Sequence, residues 1–265
     1  MYKLLFLVLI EVWLPQRALS DPSDASLGDY PYTASLKINS HPYAKAYMHT
    51  CGGTILNEEW VLTAASCVDG GTTWETLEAV DVGYVYEFSN ARQRIGVDRV
   101  VLHPHYNNTQ PPSLHNIALI KLDGKITFNE SANKIGLPDK GWVPQVARLD
   151  FLGWGLRSSL LQHNAVPLLS DKDCMDLIEE YVRDLNGKVP FESETMACTG
   201  PDFPDKFIIT EGDTGGPLVA DGIIYGVLSY RLDFNKRRME KVPSGVFTEV
   251  APYLSWIIEN VGDVN

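Results

Sequence analysis

The chain has 265 residues, 45% of them hydrophobic, with 22 Lys and Arg against 34 Asp and Glu and a net charge of −12. That acidic balance argues against nucleic acid or an anionic membrane as the main partner, since both repel a negatively charged surface. The length suits a single all-β domain, because sandwiches and barrels of roughly 200–250 residues form single units.

In chain order, residues 1–20, MYKLLFLVLIEVWLPQRALS, read as a secretory signal peptide. Lys3 precedes an apolar run over 4–10, and Ala18-Leu19-Ser20 offers small residues for cleavage after Ser20. Cleavage leaves 245 residues with 20 basic and 33 acidic side chains, a net charge of −13. The run is too short to span a bilayer, and no later stretch is long enough. Short apolar runs at 55–56, 61–62, 117–122, 149–152 and 223–228 are bounded by Gly, Pro, Asn and Asp and predict strands. A Pro- and Gly-rich stretch at 137–144 predicts a boundary between two halves. Ser170 to Asp173 reads as a capping box, followed at helical spacing by Cys174, Leu177, Ile178, Tyr181 and Val182. A second helix is predicted over about 252–262, with Leu254, Ile257, Ile258 and Val261 sharing its apolar face. Cys51, Cys67, Cys174 and Cys198 predict two disulfides in an oxidising compartment, with three pairings open. Asn107 and Asn129 head two glycosylation sequons.

Three segments carry the chemistry: CGGTILNEEWVLTAASCV (51–68), HNIALIKL (115–122) and EGDTGGPL (211–218). With FLGWG (151–155), LHPHYNN (102–108) and SGVFTEV (244–250), they resemble the trypsin-like, chymotrypsin-fold serine proteases over nearly the whole mature chain. The resemblance implies an all-β fold of two packed antiparallel six-stranded barrels, about 29–138 and 139–250, with a C-terminal helix and a cleft between the barrels. It also implies the pairings Cys51–Cys67 and Cys174–Cys198.

Active members bring a histidine base, an aspartate and a serine nucleophile together in that cleft. The matching positions here are Ser66, Asn116 and Thr214. A hydroxyl is no base near neutral pH, an amide carries no charge to stabilise an imidazolium, and nothing activates the threonine. Threonine nucleophiles elsewhere use their own α-amine, and Thr214 is deep in the chain. His115 adjoins Asn116, but neighbouring residues of a strand face opposite ways, so it is expected to point away from the cleft. The amides of Gly212 and Thr214 match the oxyanion hole. Ile208, Ser229, Tyr230, Arg231 and Gly245 match the specificity pocket, with Ile208 where a trypsin has its carboxylate. Arg231 replaces a glycine and either crowds the pocket mouth or turns out to solvent.

The family's activating apolar amino terminus has no counterpart, which leaves the partner of Asp213 open. Two further family disulfides are missing both members, among them the positions of Leu149 with Ala220. The combination is similar to the scabies mite inactivated serine protease paralogues, relatives of the mite group 3 allergens. That resemblance implies a gut-secreted pseudoprotease that binds and inhibits host complement proteins. The alternative is a hydrolase with a rearranged mechanism, or a decoy that sequesters substrate. A basic loop with Lys236, Arg237, Arg238 and Lys241 is the predicted binding surface. No metal-ligand motif or cofactor loop is recognised.

Overall fold

A computed structural model describes residues 23–39, 46–70, 77–90, 92–108, 113–139, 141–155, 160–185, 191–200, 209–232 and 244–262. The signal segment, Ile208 and the four basic residues Lys236, Arg237, Arg238 and Lys241 lie outside them.

The first half holds β1 (Ser23–Asp24), β2 (Thr33–Asn39), β3 (Tyr47–Asn57), β4 (Trp60–Thr63), β5 (Leu77–Val82), β6 (Gln93–Leu102) and β7 (Ala118–Leu122). The second holds β8 (Arg148–Gly153), β9 (Gln162–Pro167), α1 (Asp171–Leu185), β10 (Met196–Cys198), β11 (Pro217–Ala220), β12 (Ile223–Leu232), β13 (Ser244–Glu249) and α2 (Leu254–Val261). Strands β2-β3-β4-β7-β6-β5 form a closed antiparallel barrel. The second sheet runs β1-β9-β8-β11-β12-β13-β10. Its six strands from β8 to β13 are drawn together at the ends by a single bridge, Leu168 to Thr199. There Leu169 N donates to Cys198 O and Gly200 N to Pro167 O. The seventh strand, β1, comes from the amino-terminal segment and pairs with β9, with the Ala25 amide donating to Leu161 O.

The apolar runs of β3, β4 and β7 are continuous because both faces are covered. Val61 and Ile120 point into the first barrel, while Trp60, Leu62 and Leu119 point into the core between the barrels. That shared core takes Leu152, Trp154, Val219, Ile224 and Val227 from the second sheet. Phe151, Leu218, Leu228 and Phe247 fill the second interior, where Leu149 and Ala220 join one apolar cluster.

The disulfides are Cys51–Cys67 and Cys174–Cys198. In α1 the Ser170 hydroxyl donates to Asp173 Oδ2 at 2.6 Å and accepts from the Asp173 amide at 3.2 Å. Cys174 and Ile178 are buried, with Leu177 and Tyr181 packed beside them. The α2 face differs from the predicted one. Tyr253 and Ile257 are buried and Trp256 and Val261 pack against the shared core, whereas Ile258 is 49% exposed. A 3-10 turn at Ala251–Tyr253 precedes the helix and rotates its inward stripe onto the aromatic residues.

Candidate functional site: the cleft between the barrels

Ser66 lies on a 3-10 turn, Ala65–Cys67, tied back to β3 by the Cys51–Cys67 bridge. Asn116 lies two residues before β7 and is buried. The structure brings these two together. Asn116 Oδ1 accepts from the Ser66 amide at 2.8 Å, and its Nδ2 donates to Ser66 Oγ at 3.0 Å. The same Nδ2 donates to Ser229 Oγ at 3.0 Å and to Ser229 O at 3.3 Å. The amide orientation follows, because only an oxygen can face the Ser66 N–H. Asn116 is thus a fully engaged crosslink between the Ser66 turn and β12. Ser66 itself is exposed at the surface of the cleft.

Thr214 follows the 3-10 turn Glu211–Asp213 and is half-buried. Its carbonyl accepts from the Gly52 amide at 2.8 Å, which docks the turn on the first barrel. The next residue, Gly215, has φ 82, and a Cβ there would lie 2.3 Å from Thr63 Oγ and 2.4 Å from Gly52 O. Only glycine fits so close an approach. Asp213 is buried behind the turn. Its carboxylate accepts from the amides of Thr210 and Gly155, each at 2.7 Å, and from Thr210 Oγ at 3.1 Å. Burial pushes its pKa up, against these three donors. Among the described residues no cation lies within ion-pair distance of it. A Cβ on Gly153 would lie 2.0 Å from its Oδ1, which explains the first glycine of the FLGWG stretch.

Of the expected pair of oxyanion amides, that of Thr214 is engaged within its own turn. The Thr214 N–H donates to Glu211 O at 3.2 Å inside the 3-10 turn. The Gly212 carbonyl is held by His49 Nε2 at 2.8 Å, while His49 Nδ1 lies 2.7 Å from Ser35 Oγ. A carbonyl can only accept, so Nε2 carries the proton and Nδ1 accepts from Ser35. Burial lowers the His49 pKa to about 4, so the ring is neutral. Sequence reasoning missed His49. Its signal was a lone histidine just ahead of the CGG stretch, indistinguishable from a surface residue without the fold.

Arg231 and Gly245 pair across β12 and β13. Arg231 Nη2 reaches Glu211 Oε1 at 3.7 Å, with its side chain 28% exposed, so it lies across the turn and does not extend freely into solvent. Ser229 is turned to Asn116, and Tyr230 packs toward α1 with Cys198 and Val246. Ile209 is buried against Phe247, and a Cβ on Gly245 would lie 3.1 Å from its Cδ1. Ile209 thus fills the space beside Gly245. His115 faces away from Ser66, as expected, but for a different reason. It is no strand residue: its φ is 52, and its Nδ1 lies 2.9 Å from Tyr253 Oη. Asn107 is exposed, and Asn129 lies in an exposed turn where its Oδ1 accepts from the amides of Ser131 and Ala132.

A family model for trypsin matches residues 21–257, and the chain belongs to the trypsin family of serine proteases and their homologues. It is 29% identical to mouse (Mus musculus) ovochymase-2 over 264 residues, 90% of this chain and 40% of that protein. It is 29% identical to the venom peptide isomerase heavy chain of Agelenopsis aperta over 253 residues, 89% of this chain and 97% of that one. Serine proteinase stubble of Drosophila melanogaster is 27% identical over 263 residues, 93% of this chain and 31% of that protein. The chain therefore corresponds to less than half of two of these relatives and nearly all of the third. No helix among the described residues is long and apolar enough to cross a membrane.

Proposed function

We propose that this is a secreted, catalytically inactive serine protease homologue that works by binding. The observation that carries the proposal is Asn116. Its amide is fully spent on Ser66 and Ser229, two groups that cannot take a proton from Thr214. The five histidines among the described residues favour the same reading over a rearranged hydrolase. His49 has both ring nitrogens occupied, by Gly212 O and Ser35 Oγ. His103, His105 and His115 cluster beside Tyr253, and His163 packs on Tyr30. Loss of a triad base or nucleophile costs about a millionfold in rate, and Thr214 donates its own amide to Glu211.

The proposed target is host complement, and its support is the sequence similarity to the mite pseudoproteases. Secretion, into the gut lumen on the same resemblance, is supported by residues 1–20 and the two disulfides. Glycosylation at Asn107 and Asn129 is part of the proposal. Serine-directed fluorophosphonate should leave the intact mass unchanged, and peptide and ester substrates should not turn over. Labelling at Thr214 would overturn the loss of catalysis. Inhibition of serum haemolysis by the folded protein tests the target, and unaffected lysis at micromolar concentration would remove it.

A further inference from the structure

His103, His105 and His115 gather beside Tyr253 and Trp256 of the carboxy-terminal segment. The three ring centroids form a triangle, each pair 5.4 Å apart. One ring nitrogen from each residue lies within 4.8 Å of the others. His103 and His105 follow β6 on a turn, and His115 enters from the turn before β7. His115 holds a left-handed backbone that β-carbon residues rarely adopt, although histidine tolerates it better than most. Its Nδ1 meets Tyr253 Oη at 2.9 Å, which leaves Nε2 as its ligand atom. Tyr253 and Trp256 wall the cluster, with centroids 4.9 and 5.1 Å from His103.

We propose that these three imidazoles bind a divalent transition metal, with Zn²⁺ the best match. Three imidazole nitrogens without a carboxylate suit Zn²⁺, Cu²⁺ or Ni²⁺ and not the oxygen-seeking Ca²⁺ or Mg²⁺. Zn–N bonds of about 2.1 Å put tetrahedral ligands about 3.4 Å apart. Rotation of His105, the exposed member, closes the remaining gap. The Tyr253 contact is the outer hydrogen bond that metal-bound histidines use to hold tautomer and orientation. The fourth position is left to water or to an incoming ligand. The metal would clamp the end of β6 to the turn before β7 and, through Tyr253, to α2.

The test is a ZnCl2 titration of the full mature chain, without a polyhistidine tag, by calorimetry, with Co²⁺ absorption reporting the geometry. One equivalent should bind with micromolar or tighter affinity. At a hundredfold excess over Kd the melting temperature should rise by about 5–10 °C. His105→Ala, at an exposed position, should fold normally and weaken binding at least about tenfold. His163→Ala, outside the cluster, should bind as the wild type does. Absence of saturable binding, wild-type affinity in His105→Ala, or an equal loss in His163→Ala would each overturn the site.

Discussion

His49 couples the first barrel to the Glu211–Asp213 turn through one hydrogen bond to Gly212 O, and its titration makes that coupling measurable. The native ring stays neutral down to about pH 4, whereas the unfolded chain takes up a proton below about 6.5. The unfolded state therefore binds more protons between pH 6.5 and 4, and stability falls as pH falls through that window. The shift corresponds to about 2–3 kcal/mol by pH 4.5. Asp213 runs the other way. Its raised pKa favours the native state in acid, and that contribution is lost as pH rises. The two are separated by His49→Gln, which keeps a donor for Gly212 O and cannot titrate. Urea unfolding at pH 7 and 4.5 should show a smaller acid loss in the variant; an equal loss would show that His49 is not the group. At this scale the sequence was informative about identity and silent about partners. Ser66, Asn116 and Thr214 could be aligned by motif. That Asn116 bonds both Ser66 and Ser229 required strands more than 100 residues apart to meet.

Among the elements, α1 and α2 test different sources of helix stability. Ser170→Ala removes the cap of α1 and should cost about 1 kcal/mol. In α2, Ile257→Ala should cost about 2–5 kcal/mol because Ile257 is fully buried in the core between the barrels. Ile258→Ala, one residue on and half exposed, should cost under about 0.5 kcal/mol. Equal effects at 257 and 258 would contradict the observed face. A charged network on the outer face of β2, β5 and β6 is the second element-scale feature. Asp81 is fully buried, takes both Arg94 nitrogens at 2.6 Å and Arg92 Nε at 3.0 Å, and lies near the buried Lys37. Lys37 in turn pairs with Glu87, and burial holds its pKa below the ordinary lysine value. Asp81→Asn leaves three cations around one remaining carboxylate and should destabilise by about 3–5 kcal/mol, measured by chemical unfolding. The alternation of β4 and β7 was legible as apolar runs. The network was not, because Lys37 and Asp81 look like solvent-facing strand residues until the 84–92 segment covers them.

For the whole molecule, the two barrels share one core, so the cleft between them is rigidly placed. Ile209 is packed by Gly245 and Arg231 is drawn onto Glu211, two contacts that a side chain entering between them would have to displace. Reopening such a site on binding would cost affinity, whereas exterior loops on a rigid scaffold vary without unfolding it. The cleft variant Thr214→Ala with Arg231→Gly should therefore inhibit haemolysis as well as the wild type does. Neutralising Lys236, Arg237 and Arg238 together tests the basic loop, where loss of inhibition is expected. If the cleft variant alone loses inhibition while remaining folded by circular dichroism, binding uses the cleft.

The sequence by itself determined the family, the strand-rich class, the helix cap at Ser170 and the identity of the residues at the catalytic positions. Each of these is written in local patterns: motif glycines, short apolar runs, a capping pair, single side chains. Only the tertiary structure decided which way those side chains are used. The single-bridge closure of the second barrel, the recruitment of β1 by β9, the inward face of α2, the occupation of Asn116 and the meeting of three histidines all depend on segments far apart in the chain. Hydrogen-bond partners and burial are properties of that long-range assembly, and local periodicity carries no record of them.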